Sequence, residues 1–151
     1  MTPVEELVWK LIRPTRILIV ESADGDLSSL STALESGYEC VLDSAQTVAK
    51  ALERLAQWKY DVVFVAPVLA DGTAADIMRA IRFSRPPTPV VLIGSKSDAD
   101  RVLEVAGSGF IGLVQRPLTE DTVQQVFSAY RIPARSRAEK SVMSGFVGAP
   151  A

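Results

Sequence analysis

The chain of 151 residues contains no histidine and a single cysteine, Cys40. Without histidine it can form no Ser-His-Asp or Cys-His nucleophile system, no imidazole zinc site and no phosphohistidine. A lone cysteine also excludes an internal disulfide and a thiolate zinc cage, and it is typical of a protein in the reducing cytoplasm. Because enzymes without histidine exist, these absences lower the expectation of an enzyme without excluding one.

Strong net charge and long apolar runs are missing as well. A formal net charge of −2 gives no basic surface of the kind that binds nucleic acid or an anionic membrane. The apolar runs are too short to cross a bilayer, and Glu5 and Glu6 stand where a signal peptide would be apolar. With 48% hydrophobic and 23% charged residues, the chain is predicted to form one domain with a proper core and short extensions.

Short apolar segments alternate along the chain with segments whose apolar residues repeat at helical spacing. The predicted strands are residues 16–20, 38–42, 61–65, 89–93 and 111–114. The stripes predicted to face inward on helices lie within residues 27–34, 48–55, 75–81, 102–105 and 123–127. Strand and helix repeated five times predict an α/β fold, a flavodoxin-like doubly wound (βα)5 parallel five-stranded sheet with helices on both faces.

Two extensions flank this pattern. Residues 1–14 carry an apolar stripe at helical spacing and are predicted to form an amphipathic helix that docks on the domain or across a dimer. Trp9 lies off that stripe and is a candidate exposed anchor. Residues 132–151 lack periodicity and are expected to form a disordered tail, which leaves residues 15–131 as the folded domain.

Four segments, taken together in their order and spacing, carry a family resemblance. They are Arg-Ile-Leu-Ile-Val-Glu-Ser at 16–22, Leu-Ala-Asp-Gly-Thr at 69–73, Pro-Val-Val-Leu-Ile-Gly-Ser at 89–95 and Gly-Leu-Val-Gln-Arg-Pro-Leu at 112–118. Over about residues 15–131 the chain resembles the receiver domain of two-component response regulators. The last segment is similar to that family's Gly-x-x-x-Lys-Pro-Phe. The resemblance implies the same flavodoxin-like fold and a role in bacterial signalling.

The positions that carry the family's chemistry are altered here. In receivers an aspartate after the third strand takes a phosphoryl group, and the matching residue is Ala66, whose methyl group cannot attack phosphorus. The resemblance also places Glu21 and Ser22 at the acidic pair, Gly94 at the switch Ser or Thr, and Arg116 at the lysine. These five residues are interpreted as a degenerate phosphorylation site with no catalytic residue. Since one carboxylate without a phosphoryl group binds Mg²⁺ poorly, neither magnesium nor another cofactor is expected.

Several polar residues near the site have two interpretations. Glu21 and Arg116 either form an ion pair that fixes one conformational state or both reach solvent, where an exposed pair contributes about 0–1 kcal/mol. The ion pair is the favoured hypothesis. Asp61 and Asp71 are expected to be strand-start and turn residues rather than substitute phosphoacceptors, and Ser95 a solvated turn residue.

Three functions remain in competition. The first is a receiver-like signalling module that is not an enzyme and binds a protein partner independently of phosphorylation. The resemblance implies that its contact or homodimer face is the fourth helix, fifth strand and fifth helix, about residues 97–131. The alternative is a small-molecule-binding or enzymatic flavodoxin-like domain, which a deep pocket lined by Ser22, Ser95 and Arg116 would favour. A regulator with nucleic-acid output is disfavoured, since the sequence leaves no room for an output domain.

Overall fold

The computed structural model describes residues 2–4, 14–22, 27–82, 88–106, 112–115, 119–129, 131–132 and 135–136. Its elements, in chain order, are β1 (Thr15–Val20), α1 (Leu27–Gly37), β2 (Tyr38–Ala45), α2 (Val48–Gln57), β3 (Val62–Val65), β4 (Val68–Leu69), β5 (Gly72–Thr73), α3 (Ala74–Ile81), β6 (Val90–Ile93), α4 (Lys96–Ala106), β7 (Gly112–Val114), α5 (Glu120–Ala129) and β8 (Arg135–Ser136). No helix within these ranges is long and apolar enough to span a bilayer.

The predicted N-terminal helix falls largely outside the described part of the chain. Pro3 and Val4 are described and are helical, whereas residues 5–13 are not described. The candidate anchor Trp9 therefore lies outside the described residues, and its role stays a prediction.

A parallel sheet organises the domain. Its strand order is β7-β6-β3-β1-β2, and the short β8 adds an antiparallel edge beside β2. In register, Val20 of β1 lies between Ala45 of β2 and Val65 of β3. Strand order reverses beside β1, and in doubly wound sheets the crevice outside the strand carboxyl ends at that reversal is the usual ligand site. The predicted flavodoxin-like fold is confirmed.

Apolar side chains cover both faces of this sheet. Every residue of β3 is buried, because helices pack on each side of it. Leu18 and Val63 belong to the cluster under α2, α3 and α4, while Phe64 belongs to the cluster under α1 and α5. In the second cluster, the ring of Phe127 lies 4.6 Å from that of Tyr38 and 6.2 Å from that of Phe64, measured between centroids. The residues predicted to face inward on α3 and α5 are buried, which confirms both stripes.

Two local predictions differ from the structure. The sequence places Leu52 on the inward stripe of α2, but its side chain is 37% exposed. It lines a groove of about 380 Å³ between α2 and α3, together with Trp58. The predicted second strand ends at residue 42, whereas β2 continues to Ala45 because its last residues keep pairing with Leu18–Val20 of β1.

The folded part of the chain extends past the boundary expected at residue 131. Ile132 is buried, and its N–H donates to the carbonyl oxygen of Phe127 at 3.0 Å. The two residues of β8 pair antiparallel with the start of β2. An edge strand this short leaves no alternating pattern, which is why the sequence assigned it to a tail. Residues 137–151 lie outside the described residues.

Candidate functional site

The carboxyl ends of β1, β3 and β6 bring three predicted site positions to one edge of the sheet. Ala66 directly follows β3, and its N–H donates to the last carbonyl of β1 at 2.8 Å. Glu21 follows β1, and its N–H donates to the last carbonyl of β2 at 3.0 Å. Gly94 follows β6, and its N–H donates to the last carbonyl of β7 at 2.9 Å. The strand ends are thus tied together around β3, with Ala66 in the middle.

Ala66 contributes hydrocarbon to this edge. It is 6% exposed and belongs to the same buried cluster as Leu69, Ala75 and Val102. Its methyl group offers neither a nucleophilic oxygen nor a metal ligand. The centre of the edge is therefore a small extension of the core.

Glu21 is a buried acid at the end of the neighbouring strand. It is 1% exposed, so the interpretation in which its carboxylate simply reaches solvent is wrong. Ser22 follows it and is half-buried. The other interpretation, an ion pair with Arg116, stays a prediction because Arg116 lies outside the described residues.

The turn between β6 and α4 is closed by a residue that the sequence analysis did not single out, Asp98. Its Oδ2 accepts hydrogen bonds from the N–H of Ser95 at 2.8 Å and from the Ser95 hydroxyl at 2.9 Å. The N–H of Asp98 donates in return to Ser95 Oγ at 3.2 Å. This reciprocal arrangement is a capping box, and the signal was present as a serine followed by an acid three residues later. Ser95 is exposed, as expected, but it is also the cap of α4.

Two other carboxylates near the site in sequence serve the fold. Asp71 accepts hydrogen bonds from the N–H of Ala49 at 3.0 Å and of Val48 at 2.7 Å, at the start of α2. These two backbone donors hold the pKa of Asp71 below its usual range. Asp61 accepts from the N–H of Arg16 at 2.8 Å, where β1 begins. Asp61 lies directly before β3, as expected, whereas the contacts of Asp71 with α2 go beyond the turn role predicted for it.

The described residues at this edge supply fewer oxygen ligands than a magnesium ion prefers. Mg²⁺ prefers octahedral oxygen coordination, with one or two carboxylates supplemented by substrate phosphate. Glu21 supplies one carboxylate, Ala66 supplies none, and the oxygen of Asp98 nearest to Gly94 already accepts two hydrogen bonds. Within the described ranges, no three Asp, Glu, His or Cys side chains are grouped so that they could hold a metal ion.

The described part of the chain contains two cavities that bear on the small-molecule hypothesis, one beside this edge and one away from it. One, of about 170 Å³, lies between the β3–α3 connection and α4, lined by Pro67, Val68, Thr73, Ala75, Asp98, Arg101 and Val102. The other is the α2–α3 groove, at the opposite edge of the sheet. Neither is lined by Ser22 or Ser95. They are thus not the pocket that the small-molecule hypothesis calls for.

Solved receiver domains share this fold. The receiver domain of the sensor histidine kinase PA1611 from Pseudomonas aeruginosa PAO1, solved with a magnesium ion coordinated in its active-site cleft, matches with a TM-score of 0.68 at 16% identity, over 80% of this chain and 98% of that one. The chemotaxis response regulator CheY4 of Vibrio cholerae matches with a TM-score of 0.66 at 15% identity, over 78% and 98% of the two chains. At such identities the likeness establishes the fold alone.

The sequence itself carries the family signal. Residues 17–128 match the family model described as the response regulator receiver domain. The chain therefore belongs to the response regulator receiver family, whose members are generally non-enzymatic signalling domains of two-component systems. No curated protein matches the chain.

Proposed function

We propose that this receiver is a phosphorylation-independent signalling module that acts by binding another signalling protein in the bacterial cytoplasm. The observation that carries the proposal is Ala66, a buried methyl group at the end of β3 where the family's phosphoacceptor aspartate is expected. In this proposal Glu21, Ser22, Ala66, Gly94 and Arg116 form a degenerate phosphorylation site. The domain has no catalytic residue of its own.

The carboxylates described around the site support this proposal. Asp71 is held by the first N–H groups of α2, and Asp98 by both donors of Ser95. A phosphoacceptor must present a free carboxylate oxygen to the donor. Asp71 uses both of its oxygens in these bonds and Asp98 uses Oδ2 for both of its bonds, so a phosphoryl group on Asp71, or on Oδ2 of Asp98, would remove hydrogen bonds that cap a helix.

The magnesium site of receivers is proposed to be lost together with the phosphoacceptor. The PA1611 receiver was solved with magnesium coordinated in its active-site cleft. Among the described residues that directly follow β1, β3 and β6, Glu21 is the one with a carboxylate, and Ala66 offers no side-chain oxygen. We therefore propose that the domain works without a metal ion or another cofactor.

Without phosphorylation, regulation has to come from another source. A phosphoryl group shifts a receiver between two conformations because it stabilises one of them more than the other. A domain that cannot accept the group has no such input. Its signalling would then follow its abundance, its partner's abundance, or a ligand that prefers one conformation.

The proposal is tested by incubating the purified domain with acetyl phosphate and Mg²⁺ and measuring its intact mass. We expect no species heavier by one phosphoryl group, under conditions that phosphorylate an intact receiver in a parallel tube. An adduct on any side chain would contradict the proposal. Mapping it to Asp71 or Asp98 would show which carboxylate had replaced the missing one.

We further propose that the partner, or a second copy of the chain, binds the face formed by α4, β7 and α5, about residues 97–131. The described part of this face carries both charged and apolar side chains. Arg101 and Glu104 are exposed on α4, beside Leu103, which is 36% exposed. An apolar residue surrounded by charges is the usual composition of a modest protein contact.

Leu103→Glu on α4 and Leu52→Glu on α2 form a matched pair, because the two leucines are 36% and 37% exposed. If the proposed face carries the contact, Leu103→Glu should weaken self-association or partner capture by about tenfold or more, since it places a charge in an apolar contact. Leu52→Glu should leave both unchanged. Sedimentation velocity and pull-down from a bacterial lysate provide the measurements. A loss confined to the α2 variant would instead place the interface on α2, away from the α4–β7–α5 face.

A further inference from the structure

We infer that Asp98 fixes the turn between β6 and α4 in one arrangement by occupying the space that a side chain at position 94 would take. The inference deepens the proposed function and rests on it, because a fixed turn is useful to a receiver that works without a phosphoryl group. It assigns Asp98 as a positioning residue for α4. Gly94 is then the residue that makes room for it.

The first part of the case is the set of contacts that hold the Asp98 carboxylate. One oxygen, Oδ2, accepts from both the N–H and the hydroxyl of Ser95, at 2.8 and 2.9 Å. The Ser95 hydroxyl oxygen also lies 3.1 Å from Ser97 Oγ and accepts from the N–H of Asp98 at 3.2 Å. Hydrogen bonds to an ionised acceptor are about twice as strong as neutral ones. The carboxylate is thus held over the turn by several contacts at once.

The second part is the space beside Gly94. A Cβ built there would lie 2.8 Å from Asp98 Oδ2, 3.2 Å from Asp98 Cβ and 3.3 Å from Asp98 Cγ. To remove this overlap, either the carboxylate must leave Ser95 or the backbone of Gly94 must shift. The backbone is itself tied to β7 by the 2.9 Å bond from the Gly94 N–H. A side chain at 94 and the present place of Asp98 are therefore mutually exclusive.

The fixed turn also affects the position of α4, which is part of the face proposed to bind a partner. Asp98 lies in the first turn of α4, and the next core residues of that helix, Ala99 and Val102, pack in the cluster that contains Ala66. Holding the turn closed sets where α4 begins relative to the end of β3. The geometry keeps the start of α4 in one place without any group bound at the site.

Amide hydrogen exchange followed by NMR tests the inference directly. Asp98→Ala should speed exchange of the Ser95 amide by about ten- to a hundredfold, which corresponds to losing a charge-assisted hydrogen bond of about 1.5–3 kcal/mol. Gly94→Ala should have a similar effect after correction for intrinsic rates, because its methyl group displaces the carboxylate. The two changes combined should be no worse than Asp98→Ala alone, since both remove the same contacts.

Gly37→Ala is the matched control for the added methyl group. A Cβ at Gly37 would meet the side chain of Glu120 at 3.2 Å, but that side chain is exposed and free to move aside. Exchange at Ser95 should not change in this variant. Asp98→Asn, which keeps an acceptor oxygen, should give a smaller increase than Asp98→Ala and serves if the alanine variant does not fold.

Either of two results would overturn the inference. Unchanged exchange at Ser95 in Gly94→Ala would show that position 94 has room for a side chain beside the carboxylate. Unchanged exchange in Asp98→Ala would show that the carboxylate does not hold the turn. A phosphoryl adduct in the mass measurement would instead contradict the proposed function and leave these exchange rates as they are.

Discussion

Ala66→Asp is expected to destabilise the domain by about 3 kcal/mol when divalent cations are removed by a chelator. The methyl group is 6% exposed, and Glu21 at the end of the neighbouring strand is 1% exposed. A carboxylate introduced here loses hydration next to a buried acid of the same charge, and the surrounding core must also make room for it. Urea denaturation at neutral pH measures the loss. A change below about 0.5 kcal/mol, which is the usual range for surface substitutions, would show that position 66 opens to solvent.

Magnesium should return part of that stability to Ala66→Asp and none to the wild-type domain. Two carboxylates at adjacent strand ends reach the number that Mg²⁺ commonly uses in proteins, and an ion bound only to the folded state stabilises it by mass action. We expect a recovery of about 1–3 kcal/mol at saturating magnesium. Ala66→Asn is the control, because it has nearly the same shape without the charge and should not respond. Magnesium stabilisation of the wild-type domain would contradict the proposed loss of the metal site.

Much of the fold follows from the sequence because its signals are local. The continuous apolar run of β3 indicated a strand covered on both faces, and the stripe within residues 75–81 indicated a helix with one buried side. Parallel strands joined by right-handed crossovers bring their carboxyl ends to one edge. The positions of Glu21, Ala66 and Gly94 at that edge follow from the same pattern.

What the sequence did not provide comes from contacts between distant residues or from very short elements. Asp71 follows β3 in the chain and caps α2, which precedes that strand. It lies 22 and 23 residues from its two donors, so no local pattern indicates its capping role. The two residues of β8 are too few to show alternation. Burial of Glu21 depends on packing that a residue type alone does not specify. Asp98 is different, because a serine followed three residues later by an acid is a local pattern that indicates a capping box.

Asp43→Ala is expected to destabilise the domain by about 2–4 kcal/mol, because it removes the shared partner of two side chains. Asp43 Oδ2 accepts from the hydroxyl of Tyr60 at 2.6 Å and from Arg16 Nη1 at 3.2 Å. Tyr60 is 1% exposed, so its hydroxyl would lose this acceptor inside the protein. Arg16 also packs over the ring of Trp58, 4.1 Å from its centroid, and would keep that contact.

Asp43→Asn separates the charge from the hydrogen bond in this network. It retains an acceptor for Tyr60 but not the ion pair with Arg16, so a loss of about 1 kcal/mol is expected. Urea denaturation provides both values. Equal losses in the alanine and asparagine variants would mean that charge, rather than the acceptor lost by the buried hydroxyl, sets the effect. Neither variant should change the response to acetyl phosphate, because the network lies on β1, β2 and the connection from α2 to β3 rather than at the site.

The loss of stability at alkaline pH gives an independent measurement of the hydrogen bond between Tyr60 and Asp43. Burial, and then the hydrogen bond and charge of Asp43, raise the pKa of Tyr60 well above its ordinary value. Because the folded pKa exceeds the unfolded one of about 10, the stabilisation is fully present below that pH and is lost as pH rises through the folded pKa. In Asp43→Ala the pKa should fall but stay raised, since burial remains. The absorbance of tyrosinate, followed as a function of pH, measures this pKa. Comparison with Tyr60→Phe identifies the contribution of Tyr60 among the three tyrosines. An unchanged titration in Asp43→Ala would show that burial alone keeps this hydroxyl protonated.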